Sequence, residues 1–106
     1  MRDHLIRLDS ELGKRIGLTS ANFESAILWD CRPAFIEFTQ IFPRRPHEQT
    51  LQALFKALDK IQTPVRFLAP TTLIRQIASQ YGYEEKKDPA GSVYITNLQT
   101  KQLFKQ

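Results

Sequence analysis

The chain has 106 residues, 42% of them hydrophobic and 10% aromatic, with one cysteine and a formal net charge of +4. That length makes one domain with a modest core, the composition is globular rather than disordered, and no apolar run approaches the ~20 residues needed to span a bilayer. The lone Cys31 excludes an internal disulfide framework and points to a reducing cytoplasm, while the mild basicity suits either solubility or a polyanionic partner.

The start, Met1-Arg2-Asp3-His4, is charged and unlike a signal peptide. Leu5, Leu8, Leu12 and Ile16 recur at spacings of three and four, which predicts a first helix over 4–16. Asp3 is its expected cap, Lys14 and Arg15 complement its C-terminal dipole, and Gly17 stops it. After a loop over 18–24, residues 25–30 read as a short strand, and Cys31-Arg32-Pro33 as a turn. Residues 34–42 form the strongest strand in the chain, rich in aromatic and β-branched residues. Apolar residues on both of its faces predict a central strand covered on both sides, paired with 25–30 as a hairpin.

A basic turn follows, Pro43-Arg44-Arg45-Pro46-His47-Glu48. Pro46 suits the first position of a helix running to Ile61, whose buried face carries Leu51, Leu54, Phe55, Leu58 and Ile61. Free N–H groups at a helix start attract anions, so the Arg44–Arg45 doublet there, opposed by the helix dipole, suggests a phosphate or pyrophosphate ligand. Pro64 closes the connection and Val65–Ala69 forms the next strand. Strand, helix and strand at this length make a βαβ crossover, so 34–42 and 65–69 are expected to run parallel. A cofactor between them requires their C-terminal ends to splay.

Thr71 is the expected N-cap of a second helix that ends at Tyr81-Gly82-Tyr83. Two strands, 83–87 and 92–96, are joined by the turn Asp88-Pro89-Ala90-Gly91. The fold class is therefore α+β: a mixed parallel and antiparallel central sheet with helices on both faces. His4, His47 and Cys31 lack the spacing of a metal site. Glu37 lies mid-strand among apolar residues; buried, it is a candidate general base, and the alternative is an ion pair with Arg66 on the neighbouring strand.

From Ser25 to Asn97 the order β-β-α-β-α-β-β resembles the second half of the GNAT acyltransferase superfamily, in the manner of minimal, phage-like members. There the central strand ends in a loop of pattern Gln/Arg-x-x-Gly-x-Gly/Ala that holds the pyrophosphate of an acyl-coenzyme A. Arg45-Pro46-His47-Glu48-Gln49-Thr50 occupies that place, Ala53-Leu54 matches the apolar pair after it, and Gly82-Tyr83 resembles the family's Gly-Phe stop. The resemblance implies acetyl-CoA or coenzyme A as cofactor, held by Arg44, Arg45, His47, Gln49 and Thr50, with Thr71 where an asparagine often begins the later helix. It implies amine attack on the thioester, with Glu37 as base and Tyr81 or Tyr83 as acid. The pattern departs at Glu48 and Thr50, which replace small residues, and at Ala78, which replaces a tyrosine. Those departures motivate an alternative, a catalytically inactive module of the same fold that binds a protein partner or a second copy. A third reading is a small basic nucleic-acid binder that stacks bases on Tyr81, Tyr83 and Tyr94.

Overall fold

Strand pairing organises the chain. The computed structural model describes residues 4–32 and 34–97. The strands β1 (His4–Ile6), β2 (Phe23–Cys31), β3 (Phe35–Pro43), β4 (Val65–Leu68), β5 (Glu84–Lys87) and β6 (Val93–Thr96) form one sheet of order β1-β2-β3-β4-β6-β5. β2 and β3 make the expected antiparallel hairpin, with a register irregularity between Ile27 and Leu28. β3 and β4 run parallel, as a crossover through α2 (His47–Lys60) demands. The remaining pairings are antiparallel, so the sheet is mixed and the class is α+β.

The N-terminal segment departs from expectation. Residues 4–6 are a strand paired with Leu28–Asp30, and α1 is only Glu11–Arg15. Ser10 is its cap, its hydroxyl accepting from the Gly13 N–H at 3.0 Å. Asp9 immediately before it has a left-handed φ of 66°, which no helix continues through. The spacing of Leu5, Leu8, Leu12 and Ile16 is thus coincidental: Leu5 is 42% exposed, whereas its neighbour Ile6 is buried. The expected Asp3 cap lies outside the described residues.

Helices were expected on both faces of the sheet; they lie on one. A crossover between parallel strands carries its helix onto a single face. Here α2 meets the face bearing Ile36, Phe38, Val65 and Phe67, and Phe55 stacks on Phe67 at 5.0 Å between ring centroids. The second long helix, α3 (Thr72–Ser79), packs beside α2, and Ile16 and Leu18 join the same core. On the opposite face of β3, Phe35 is covered not by a helix but by the Arg66 guanidinium, 4.5 Å from its ring centroid. Among the described residues, no helix is long and apolar enough to cross a membrane.

The core is one cluster, with Phe38, Phe67 and Phe55 stacked in series and Tyr81 and Tyr83 against Phe55. A polar clamp fixes the start of β4. The buried Asn97 side chain accepts from the Val65 N–H at 2.7 Å, and the Thr96 hydroxyl donates to the Val65 carbonyl at 2.8 Å.

Candidate functional site

The parallel ladder between β3 and β4 is short. It pairs Ile36 with Val65, Glu37 with Arg66 and Phe38 with Phe67. β3 then continues to Pro43 alongside β2, while β4 ends at Leu68 and turns through Ala69, a non-glycine residue with a φ of 45°. A cleft of about 170 Å³ opens between the two C-terminal ends. Phe38, Ile41, Phe42, Phe67 and Ile74 supply its apolar walls, and Thr71 sits at the entry to α3. In open α/β sheets, this end of parallel strands is where ligands bind. No titratable side chain lines the cleft.

Local sequence explains the arrangement. Thr71 caps α3, its hydroxyl accepting from the Ile74 N–H at 3.3 Å. That cap starts the helix beside the cleft and turns Ile74 into it. A second hollow of about 530 Å³ flanks the same β4 terminus, bounded by Arg75, Asp88 and Tyr94. Its Asp88 carboxylate accepts from the Ala90 and Ser92 N–H groups, both at 2.9 Å, closing the β5–β6 turn.

At the start of α2, Pro46 is the N-cap rather than the first helical residue, and no side chain caps the helix. Arg45, His47 and Gln49 are exposed there. Arg44 is also exposed, but its Nε donates to the Ser20 carbonyl at 2.9 Å and its backbone N–H to the Asn22 carbonyl at 2.8 Å. Thr50 turns back, its hydroxyl donating to the Arg44 carbonyl at 3.1 Å. The guanidinium of Arg44 and the hydroxyl of Thr50 therefore brace the turn.

The three residues expected to move protons are not at the cleft. Glu37 lies on the opposite face of the sheet, 3.4 Å from Arg66, so the ion-pair alternative describes its setting. The pair's arginine is held between Phe35 and Tyr94, 5.0 Å from the latter's ring centroid. Tyr81 stacks on Phe55 at 5.9 Å, and Tyr83 meets the same ring edge-on at 5.2 Å. Burial, and then the nearby Asp59 charge, push the Tyr83 phenol far above the usual tyrosine range. Its hydroxyl is buried without a hydrogen-bond partner. With Tyr94 against Arg66, all three tyrosines proposed for base stacking have intramolecular ring contacts.

Of the residues singled out in the sequence, Thr71 lines the cleft. Phe42 and Ile74 were missed; they read as ordinary core positions, and only the separation of β3 from β4 makes them walls. Among the described residues, no cluster of His, Cys, Asp or Glu is placed to hold a metal. No family model, curated protein or solved structure matches the chain.

Proposed function

We propose that the cleft between β3 and β4 receives the acyl-pantetheine end of an acyl-coenzyme A, and that the chain is a small GNAT-like acyl-CoA-binding domain. The observation that carries this reading is the separation of the two parallel strands beyond Phe38 and Phe67. It leaves an apolar slot at the end of the sheet from which the chain passes into the uncapped start of α2. The β3–β4 ladder ends at Phe38 and Phe67, and strand backbone beyond a ladder's end suits an amide-bearing arm. The exposed Arg45 and the α2 N–H groups suit phosphates.

Transfer on such a site joins the amine nitrogen to the acyl carbon and breaks the carbon–sulfur bond. The coenzyme leaves as its thiol after taking up the proton the nitrogen loses. Since no titratable side chain lines the cleft, the chain's contribution to that step is placement. The same observation favours the second reading, a GNAT-like module that binds without turnover.

Calorimetry and thermal shift with acetyl-CoA and coenzyme A, followed by a thiol-release assay with a panel of amines, test both. Binding with thiol release supports the transferase, and binding without it the inactive module. No heat and no thermal shift at millimolar ligand overturns the acyl-CoA reading. Ile74→Trp, which fills the slot, is the control: it abolishes binding that uses the cleft.

A further inference from the structure

The second hollow beside the β4 terminus has a chemistry unlike that of the cleft. Leu68, Ala69 and Pro70 line both, so both border the turn that ends β4. Ala69 holds that turn with a φ of 45°, a conformation uncommon for a non-glycine residue. The hollow measures about 530 Å³, within the range of sites for small organic ligands. Leu68, Pro70, Val93 and Tyr94 give it an apolar lining. Its two charged lining residues are of opposite sign: Arg75 from α3 and Asp88 from the β5–β6 turn.

Both charges keep unused capacity. Arg75 makes one ion pair, from Nη1 to Glu85 Oε1 at 3.2 Å, and its remaining N–H groups have no hydrogen-bond acceptor among the described residues. Asp88 takes the Ala90 and Ser92 N–H groups on the same oxygen, Oδ1. Its Oδ2 has no hydrogen-bond donor among the described residues. The other charges at this end of the sheet do not line the hollow. Glu84 and Lys86 stand 3.8 Å apart, Arg66 is paired with Glu37, and Lys87 is exposed on β5.

We propose that this hollow binds a small zwitterion, an α-amino acid or short peptide. Its carboxylate meets the Arg75 guanidinium, its ammonium meets Asp88 Oδ2, and an apolar side chain lies on the lining. Charge complementarity selects this class. A guanidinium presents a planar fork that matches a carboxylate, and an ammonium brings three donors to an acceptor-only carboxylate. A simple anion is drawn by Arg75 and repelled by Asp88, and a simple cation the reverse. An uncharged apolar ligand strips water from two charges and replaces none of their bonds. The inference does not rest on what the cleft receives.

Binding is therefore measured without coenzyme, by calorimetry and by amide correlation spectra at neutral pH. The probes are L-phenylalanine, the dipeptide alanylphenylalanine, and two analogues with one charge each: N-acetylphenylalanine, without the ammonium, and phenylalaninamide, without the carboxylate. At least one of the two zwitterions is expected to bind with a Kd of about 10 μM to about 1 mM, and the tighter of them says whether the ligand is a free amino acid or a peptide. The amides of Ser92 and Val93 shift, while those of Ile41 at the cleft do not. Each analogue binds about tenfold or more weaker than phenylalanine or the dipeptide. Arg75→Gln removes the preference over phenylalaninamide, and Asp88→Asn, which keeps an oxygen for the Ala90 and Ser92 N–H groups, removes the preference over N-acetylphenylalanine. Glu85→Gln breaks the same exposed ion pair as Arg75→Gln but leaves the guanidinium, and binding is retained. No binding of either zwitterion at about 10 mM overturns the proposal. So does an analogue that binds as well as the zwitterions, which marks a plain anion or cation site, or a preference untouched by Arg75→Gln and Asp88→Asn.

Discussion

Tyr83 condenses the conflict between burial and polarity at the level of one side chain. Its ring is held by Phe55 and Phe67, while its hydroxyl has no hydrogen-bond partner. A buried, unsatisfied hydroxyl costs about 1–3 kcal/mol, so Tyr83→Phe is expected to raise stability by about 1 kcal/mol in urea unfolding. The same residue makes a pH prediction. Burial, and secondarily Asp59, raise the phenol's folded-state pKa above its unfolded value. Stability is then level with respect to this group below about pH 10 and falls as pH rises further, because only the unfolded chain ionises readily there. In Tyr83→Phe that component of the alkaline loss disappears. Asn97 and Thr96 are the opposite case, buried polar groups whose bonds to Val65 are made. They hold β4 in register at its start, where Val65 pairs with Ile36 of β3.

At the scale of elements, Gly13 sets two effects against each other. Alanine in a helix is favoured over glycine by about 1 kcal/mol. A Cβ at Gly13, however, would stand 2.8 Å from the Arg7 carbonyl oxygen and 3.1 Å from that of Leu18. Both are backbone atoms and cannot swing aside, and overpacking of this kind costs about 1–3 kcal/mol. Gly13→Ala is therefore expected to lower the urea midpoint despite better helix propensity, and Gly13→Ser more so. The close turn also explains what was legible in the sequence. β3, α2, β4 and α3 were readable because each has its own signal: an aromatic and β-branched run, a Pro46 entry, a Pro64 break and a Thr71 cap. The first helix was misread because a three-and-four spacing is only local evidence. The left-handed Asp9, the Ser10 cap and pairing of Leu5 with Trp29 decide that segment, and the last of these is a contact between residues far apart in the chain. The cleft was legible to the same extent. Parallel strands could be expected to splay, and Thr71 to stand near, whereas the identity of the walls depends on which face α3 takes.

The whole molecule is asymmetric: three helices crowd one face of the sheet and leave the other to a guanidinium, two rings and a band of apolar residues. Stability therefore rests on one layer of contact between sheet and helices, and Phe67 is its centre. It stacks on Phe38 within the sheet at 4.3 Å, on Phe55 from α2 at 5.0 Å, and lies 6.1 Å from the Tyr83 ring. Loss of such a ring removes its transfer energy and leaves a void that aromatic neighbours fill poorly, about 3–5 kcal/mol for Phe→Ala. Domains of this size hold only about 5–15 kcal/mol in total. Phe67→Ala is thus expected to lower the melting temperature by roughly 12 °C or more, with sheet and helix signals lost together because no second layer holds either one. A Trp29→Ser variant removes comparable aromatic area from the uncovered face and is expected to change dilute-protein stability by less than about 1 kcal/mol. Near-equal losses from the two variants in matched urea titrations would mean that the open face contributes to the folded monomer as much as the helical face does.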